Sequence, residues 1–533
     1  MSSFTLKTAS ESYQTDHHNR SELQAIIIAC GDDALLYPLT SAPELPKSLL
    51  PVGGVPLIWF QLSLLQQAGF EHVLIAVEEP FREAVSKSVE KFKERSTSKL
   101  GNLTIQLKSV AEQIGTADAL RTIESYIKDD FIVLSGDMII DNIVEDLANM
   151  HHLNNATVTM ILNDTHARKK GIDGVNYIAL AAQDGRVLKM INHNDLERET
   201  LTLPKAMLRR RPDIMVSTEL VDMRCYIFSK WVIEYIVENE EISGITEDLI
   251  PALLNMQFRG SDMLSPTIRA SLHGVGRTQR MASVGSMCDL EETKKNTRME
   301  KNTNTNNIST SNSKSNNNTN HHNNNTNNNT NNETKNATNA SPSSSSSLNP
   351  DSSVSSVSSS PGSSSSSSSS SLSSAELDVV KCHCLVLDSE VTYAARASTV
   401  DEYISMNQKL MKGPNAPRNT PFPNNMEALI REVGKNKRRK GTIIGEECTL
   451  PKKYVLKQSI VGSHCRIGAG VKLERCIVMD HVSIGAGAVL KGCIIASNVN
   501  IGERCLIEDT RAGPGTRFED DDKVSREEIG KNL

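Results

Sequence analysis

The chain has no run near the roughly 20 consecutive apolar residues that a membrane-spanning helix needs. Its N-terminus, MSSFTLKTASESYQTDHHNRSE, is polar and lacks the apolar core of a secretory signal. Positive charge is also in short supply. There are 58 Lys and Arg against 64 Asp and Glu, which argues against bulk electrostatic binding to nucleic acid or an anionic membrane. The ten cysteines contain no CxxC pair, and scattered reduced thiols imply a cytosolic protein. Cys382 and Cys384 alternate along an apparent strand, KCHCLVL, where a metal site would need two further ligands. Residues 302–374 hold almost nothing but Asn, Thr and Ser. Such a stretch buries too little apolar surface to offset the entropy of ordering. With the weakly patterned residues before it, it is expected to be a disordered insertion over 265–375.

At 533 residues the chain has room for two or more domains. Before the insertion, strand-like runs (LQAIIIA, HVLIAVE, LTIQLKSV, FIVLSGD) alternate with helix-like ones (PLIWFQLSLLQQAG, PFREAVSKSVEKFKER, TADALRTIESYI). That alternation predicts a sheet with parallel strands covered on both faces. Ligands bind such sheets at the carboxyl ends of the strands. After the insertion, KCHCLVL and VTYAARASTVDEYISMNQKLM read as the closing part of the same domain, over 376–412.

A linker is expected over 413–440, ending in the basic run KNKRRK, which reads as solvated; LRRR at Leu208–Arg211 reads the same way. Beyond it lies an internal repeat. Ile444, Val461, Val478 and Ile495 stand 17 apart, with aliphatic residues between them at steps of six, six and five. Three short sides per turn, each placing one aliphatic residue inward, make a triangular parallel β-helix. Gly445, Gly462, Gly468, Gly485 and Gly502 are expected at its corners. Val482 should point inward and Ser483 outward. Cys448 and Cys465, like Cys476 and Cys493, should stack on neighbouring coils as packing thiols. His464 and His481 stack likewise. Acyltransferases use this fold with a catalytic His, but no carboxylate–His pair is apparent here, so surface positions are expected.

The chemically suggestive stretch is CGDDALLYPLT, followed by LPKSLLPVGG. Cradling a triphosphate takes closely approaching backbone N–H groups and a cation. Gly31 supplies little of the first, Asp32 and Asp33 would repel phosphate, and Lys47 is the nearest cation. Asp137, ending LSGD, is placed either to hold Mg²⁺ or to cap a turn. GTADAL opens a helix at Gly115 whose N-terminus could face an anion.

These motifs resemble the sugar-nucleotide pyrophosphorylases, whose signature reads Gly-Gly-x-Gly-Thr-Arg-Leu-x-Pro-Leu-Thr and then Pro-Lys-x-Leu-x-Pro-Val. Gly31, Leu36, Pro38, Leu39 and Thr40 match, as do Pro46, Lys47, Leu49, Pro51 and Val52. Asp137 falls on that family's metal-binding Asp. Cys30, Asp33, Ala34 and Leu35 depart from it, Leu35 standing where the family has the Arg that stabilises pyrophosphate. Loss of that charge costs about three orders of magnitude in phosphoryl chemistry. The chain is similar over most of its length to a noncatalytic branch, the gamma subunits of eukaryotic translation initiation factor 2B, in stretches such as GTADALRTI, VLSGDMIID and STELVDMRCYIFSKWVIEYI.

The resemblance implies an α/β nucleotidyltransferase-like domain with a Rossmann-like mixed sheet, followed by a left-handed parallel β-helix of hexapeptide repeats. The expected boundaries are a disordered 1–21, the domain at 22–264 and 376–412, the β-helix at 441–511, and a C-terminal cap at 512–533. Epsilon subunits continue into a further helical domain, for which the residues after 511 are too few. No catalytic residue, cofactor or metal is implied. Gly31, Lys47, Gly115 and Asp137 would line a vestigial nucleotide pocket. The implied partners are the epsilon subunit, the alpha, beta and delta subunits, and initiation factor 2, with no DNA or membrane. A sugar-nucleotide pyrophosphorylase, or the regulatory subunit of one, is the alternative.

Overall fold

A computed structural model describes residues 23–31, 34–40, 45–95, 103–141, 143–164, 176–182, 184–192, 200–211, 213–259, 264–269, 379–389, 391–412, 437–439 and 441–530. The expected insertion from residue 270 to 375, the N-terminal 1–21, and Asp32 and Asp33 lie outside these. The central sheet runs in the order Cys382–Asp388, Val158–Asp164, Leu220–Phe228, Phe131–Ser135, Gln24–Ala29, His72–Glu78, Thr104–Val110. Leu220–Phe228 is antiparallel to both its neighbours, and the other pairings are parallel. The sheet is therefore mixed. The strand Gln24–Ala29 shows why its pattern is continuous rather than alternating. Ala25, Ile27 and Ala29 face one apolar cluster and Ile26 and Ile28 the other, so both faces are covered.

Cys382–Asp388 pairs with Val158–Asp164 along its whole length, so the chain after residue 378 completes the sheet begun at residue 24. Residues 265–269, expected in the insertion, belong to the first domain instead. Ile268 is fully buried there, and Ser265 Oγ donates to Glu238 Oε1 at 2.9 Å. Leu264 and Ile268, one helical turn apart, anchor that stretch. LRRR is not simply solvated either. Arg210 Nη1 donates to the Gln257 carbonyl at 3.2 Å and Arg211 pairs with Asp184 at 2.8 Å.

The second domain is a three-sided solenoid. Each coil gives one short strand to each of three parallel sheets. The aliphatic openings at Val461, Ile467, Leu473, Val478, Ile484, Leu490, Ile495, Ile501 and Ile507 are buried in one cluster. Two boundaries shift. Lys437–Arg439, expected in a linker, pairs antiparallel with Thr442–Ile444 and covers the first coil's backbone. The expected cap at 512–533 is instead a further coil. Strands Arg511–Ala512, Arg517–Phe518, Lys523–Ser525 and Glu528–Ile529 stack in register on the coil before. Ala512, Phe518, Val524 and Ile529 continue the 17-residue step, beneath an acidic exterior that hides it.

The glycines have another reason than corner geometry. Left-handed backbone falls at Glu447, His464, His481 and Asn498, each one coil apart. A Cβ at Gly485 would lie 2.5 Å from the Gly502 carbonyl carbon, and one at Gly468 would lie 2.6 Å from the Ala486 nitrogen. These positions need glycine because the next coil's backbone presses on them. One face of the solenoid packs on the α/β unit. Ile477, Met479, Ile494 and Ala496 share an apolar cluster with Leu57 and Tyr403. Arg95 pairs with Glu446 at 3.1 Å and Arg511 with Asp401 at 2.8 Å.

Val482 is 1% exposed and Ser483 half-buried. Val482→Asp would bury a carboxylate without a partner, costing several kcal/mol. It is expected to lower the melting temperature by many degrees, while Ser483→Asp leaves it nearly unchanged; equal melting curves would refute the register.

Three histidines meet behind the sheet. Burial, with His152 and His383 nearby, pushes His151 down to about 3, and burial with Arg186 pushes His383 down to about 4. His151 Nδ1 meets Thr159 Oγ1 at 2.9 Å, and Asp130 Oδ2, 3.9 Å from Nε2, is beyond hydrogen-bond reach. An imidazole with a depressed folded pKa stabilises fully above its unfolded value of about 6.5 and loses that contribution as pH falls toward the folded value. Urea midpoints should fall from pH 6.5 downward, and His151→Asn should flatten the slope by up to about 1.4 kcal/mol per pH unit.

Candidate functional site

Four motif residues converge at the carboxyl ends of the central strands. Gly31 follows Gln24–Ala29 with φ +99°, a backbone that only glycine adopts readily. A Cβ there would lie 3.4 Å from Thr116 Cγ2 and 3.6 Å from Lys47 Nζ. Lys47 is 4% exposed, so it is no solvated loop lysine. Asp137, also buried, ends the neighbouring strand after Gly136.

Each position already has an internal partner. The Gly31 N–H donates to Glu78 Oε1 at 3.3 Å, from the end of the adjacent strand. Ser135 Oγ donates to Asp137 Oδ1 at 2.6 Å. Burial would raise the Asp137 carboxyl. Lys47, Arg396 and Arg224, with the Ser135 hydroxyl, outweigh it and hold the carboxyl below the usual range. Arg224 reaches this place from a left-handed backbone, φ +54°. Its N–H donates to Asp222 Oδ1 at 2.9 Å, and its guanidinium lies 3.5 Å from Glu247. Arg396 Nη1 donates to the Asp222 carbonyl at 3.0 Å. A divalent cation at Asp137 would have to sit among three positive side chains. This donor set does not fit one.

Of the two readings open for the helix Thr116–Thr122, an N-terminus facing an anion or a simple helix start, its first amides fit the second. The Ser243 carbonyl accepts from Ala117 N–H at 2.8 Å and Asp118 N–H at 3.3 Å. Gly115 is required by that packing, since a Cβ there would stand 2.3 Å from the same carbonyl oxygen. Burial raises the Cys30 thiol to about 12, with Lys47 opposing and Glu78 adding to it. A cleft of about 680 Å³ lies alongside, lined by Lys189, Arg224, Glu247, Arg396 and Lys409, with Leu35 at its rim and 68% exposed. Glu78, Arg224, Ser243 and Arg396 were missed in the sequence because no motif marks them. Only the fold brings them to Gly31 and Asp137.

Elsewhere, Cys382 and Cys384 are buried free thiols, and among the described residues no group of three or more potential ligands could hold a metal. The His464 and His481 rings stack at 4.8 Å. Contrary to the sequence reading, a carboxylate stands beside them: Glu447 Oε2 is 3.1 Å from His464 Nδ1. The two residues are 17 apart, one coil, and both are largely exposed. No described helix is long and apolar enough to cross a membrane.

Comparison with known proteins finds the nucleotidyl transferase family over residues 24–266 and the EIF2B subunit epsilon LbH domain over 432–512. The chain is similar to translation initiation factor eIF2B subunit gamma of Schizosaccharomyces pombe, 30% identical over 47% of this chain and 55% of that one. It is 27% identical to the gamma subunit of Dictyostelium discoideum, over 45% of this chain and 58% of that one. A mannose-1-phosphate guanylyltransferase of Mycobacterium tuberculosis is 25% identical over 44% of this chain and 55% of that one. The chain thus spans little more than half the length of the curated relatives it matches. The resemblance to gamma subunits carried by the motifs is found again by direct comparison.

Asp137→Asn would remove the buried carboxylate whose charged form Lys47, Arg396 and Arg224 favour. It is expected to destabilise the protein by on the order of 3 kcal/mol, read from urea unfolding at pH 7. The wild-type contribution is present above pH about 4 and is lost as pH falls through the depressed value. Unchanged stability in Asp137→Asn would refute a structural role for the charge cluster.

Proposed function

We propose that the chain is a noncatalytic subunit of translation initiation factor 2B, the factor that exchanges GDP for GTP on initiation factor 2. In this reading it pairs with the epsilon subunit, raises the exchange activity that epsilon carries, and assembles in the cytosol with the alpha, beta and delta subunits. Gly31, Lys47, Gly115 and Asp137 are the remnant of a nucleotide pocket, and the solenoid is a left-handed β-helix. The observation that carries the reading is that every phosphate-handling position has an internal partner. Glu78 takes the Gly31 N–H, three cations hold Asp137, and the Ser243 carbonyl takes the helix amides. Leu35, exposed at the rim, supplies no charge for a leaving pyrophosphate. The similarity to gamma subunits supports the same conclusion.

Affinity purification of the tagged chain under conditions that preserve large assemblies is expected to recover the other four subunits. Recovery of none would overturn the proposal. So would magnesium-dependent release of pyrophosphate from a nucleoside triphosphate and a sugar 1-phosphate, if Asp137→Asn abolished it.

A further inference from the structure

Nine cysteines are described, all as free thiols, and five of them lie in the solenoid. Four form two ladders: Cys448 above Cys465, and Cys476 above Cys493. Thr449 N–H donates to the Cys465 carbonyl at 2.9 Å and Ile467 N–H to the Thr449 carbonyl at 3.0 Å, so the first pair is in parallel register. Coils stacked in this way stand about 4.8 Å apart. That lies within the span of about 4.4–6.8 Å between Cα atoms that a disulfide bridges. The Cys448 thiol donates to the Gly462 carbonyl at 3.0 Å and the Cys465 thiol, one coil on, to the Met479 carbonyl at 3.1 Å.

The two ladders differ in access. Cys476 and Cys493 are 0% and 1% exposed, deep in the solenoid cluster. Cys448 is the one described cysteine that is not buried. It sits in the first coil, beside the His464–Glu447 pair at the corner.

We propose that Cys448 and Cys465 form an oxidisable pair, a modification site that a hydroperoxide converts to a disulfide stapling the first coil to the second. The Cys448 thiolate attacks one peroxide oxygen, the O–O bond breaks, and Cys448 becomes a sulfenic acid while hydroxide leaves. The Cys465 sulfur then attacks the Cys448 sulfur. The S–O bond breaks, the S–S bond forms, and the released hydroxides take up the thiol protons as water. Two thiols lose two electrons and one hydrogen peroxide gives two waters. Access favours this order. Cys448 is half-buried whereas Cys465 is 1% exposed, so Cys448 is the sulfur that the peroxide reaches first. The staple would fix the first coil, the coil that carries the Glu446 contact to Arg95.

The test uses the full chain, treated with hydrogen peroxide at neutral pH and mapped by mass spectrometry after blocking free thiols. The expected product links Cys448 to Cys465, while Cys476 and Cys493 stay reduced until the protein is unfolded. Cys465→Ser should accumulate a dimedone-reactive sulfenic acid at Cys448, and Cys448→Ser should leave Cys465 reduced. Before oxidation, Cys448 should alkylate faster than the buried Cys465 in the folded protein. Amide exchange over 442–449 should slow on oxidation in the wild type and not in Cys448→Ser. Oxidation of both ladders at one rate, or an unmodified Cys448 in the folded wild type, would overturn the proposal.

Discussion

Gly53 N–H donates to Asn407 Oδ1 at 3.0 Å across 354 residues. The bond is buried, and Asn407 Nδ2 in turn donates to the Tyr403 carbonyl at 3.0 Å. Tyr403 Oη donates to the Pro51 carbonyl at 2.7 Å. Each such bond contributes about 1 kcal/mol net, and an unpaired partner costs more. The same helix, Val400–Lys412, meets the solenoid through Asp401 and Arg511. The turn after the Lys47 segment, the closing helix and the solenoid are thereby locked as one. What lies between residues 270 and 378 does not prevent the return. A long excursion adds closure entropy only logarithmically, and seven paired residues of Cys382–Asp388 plus a buried helix offset it.

That locking makes the charge cluster intelligible. Arg396 arrives on the returning segment and Arg224 on the antiparallel strand, and both, with Lys47, favour the charged form of Asp137. Buried charge persists where it is paired and hydrogen-bonded. Here three cations favour one charged carboxylate that also accepts from Ser135, while Arg224 pairs with Glu247 and Arg396 donates to the Asp222 carbonyl. At Gly31 and Asp137 the hydrogen bonds close within the protein.

Much of this was legible in the sequence, and unevenly so. Periodic features read well because each residue restates the same constraint. The 17-residue step placed Val461, Val478 and Ile495 correctly, and it would have placed Ala512, Phe518, Val524 and Ile529 had their acidic neighbours not masked them. The motif residues Gly31, Lys47 and Asp137 were found because local signatures carry them. Glu78, Arg224, Ser243 and Arg396 were not, because their role comes from strand order and from a segment returning after the insertion. The glycines were found and misread. Their spacing is visible in one dimension, while the coil that forbids a Cβ is 17 residues away.

The two salt bridges between solenoid and α/β unit lie at different heights. Arg95 grips Glu446 in the first coil, and Asp401 grips Arg511, whose ladder runs back through Ile494, Ile477 and Ile460 to Ile443. Four coil steps, about 19 Å at the spacing of stacked strands, separate the grips. The α/β unit therefore acts as a caliper on the solenoid. A single-residue insertion between the grips would rotate every later side chain off its ladder. Loss of one whole 17-residue coil would keep every ladder intact and still fail, because the jaws would no longer close on both ends.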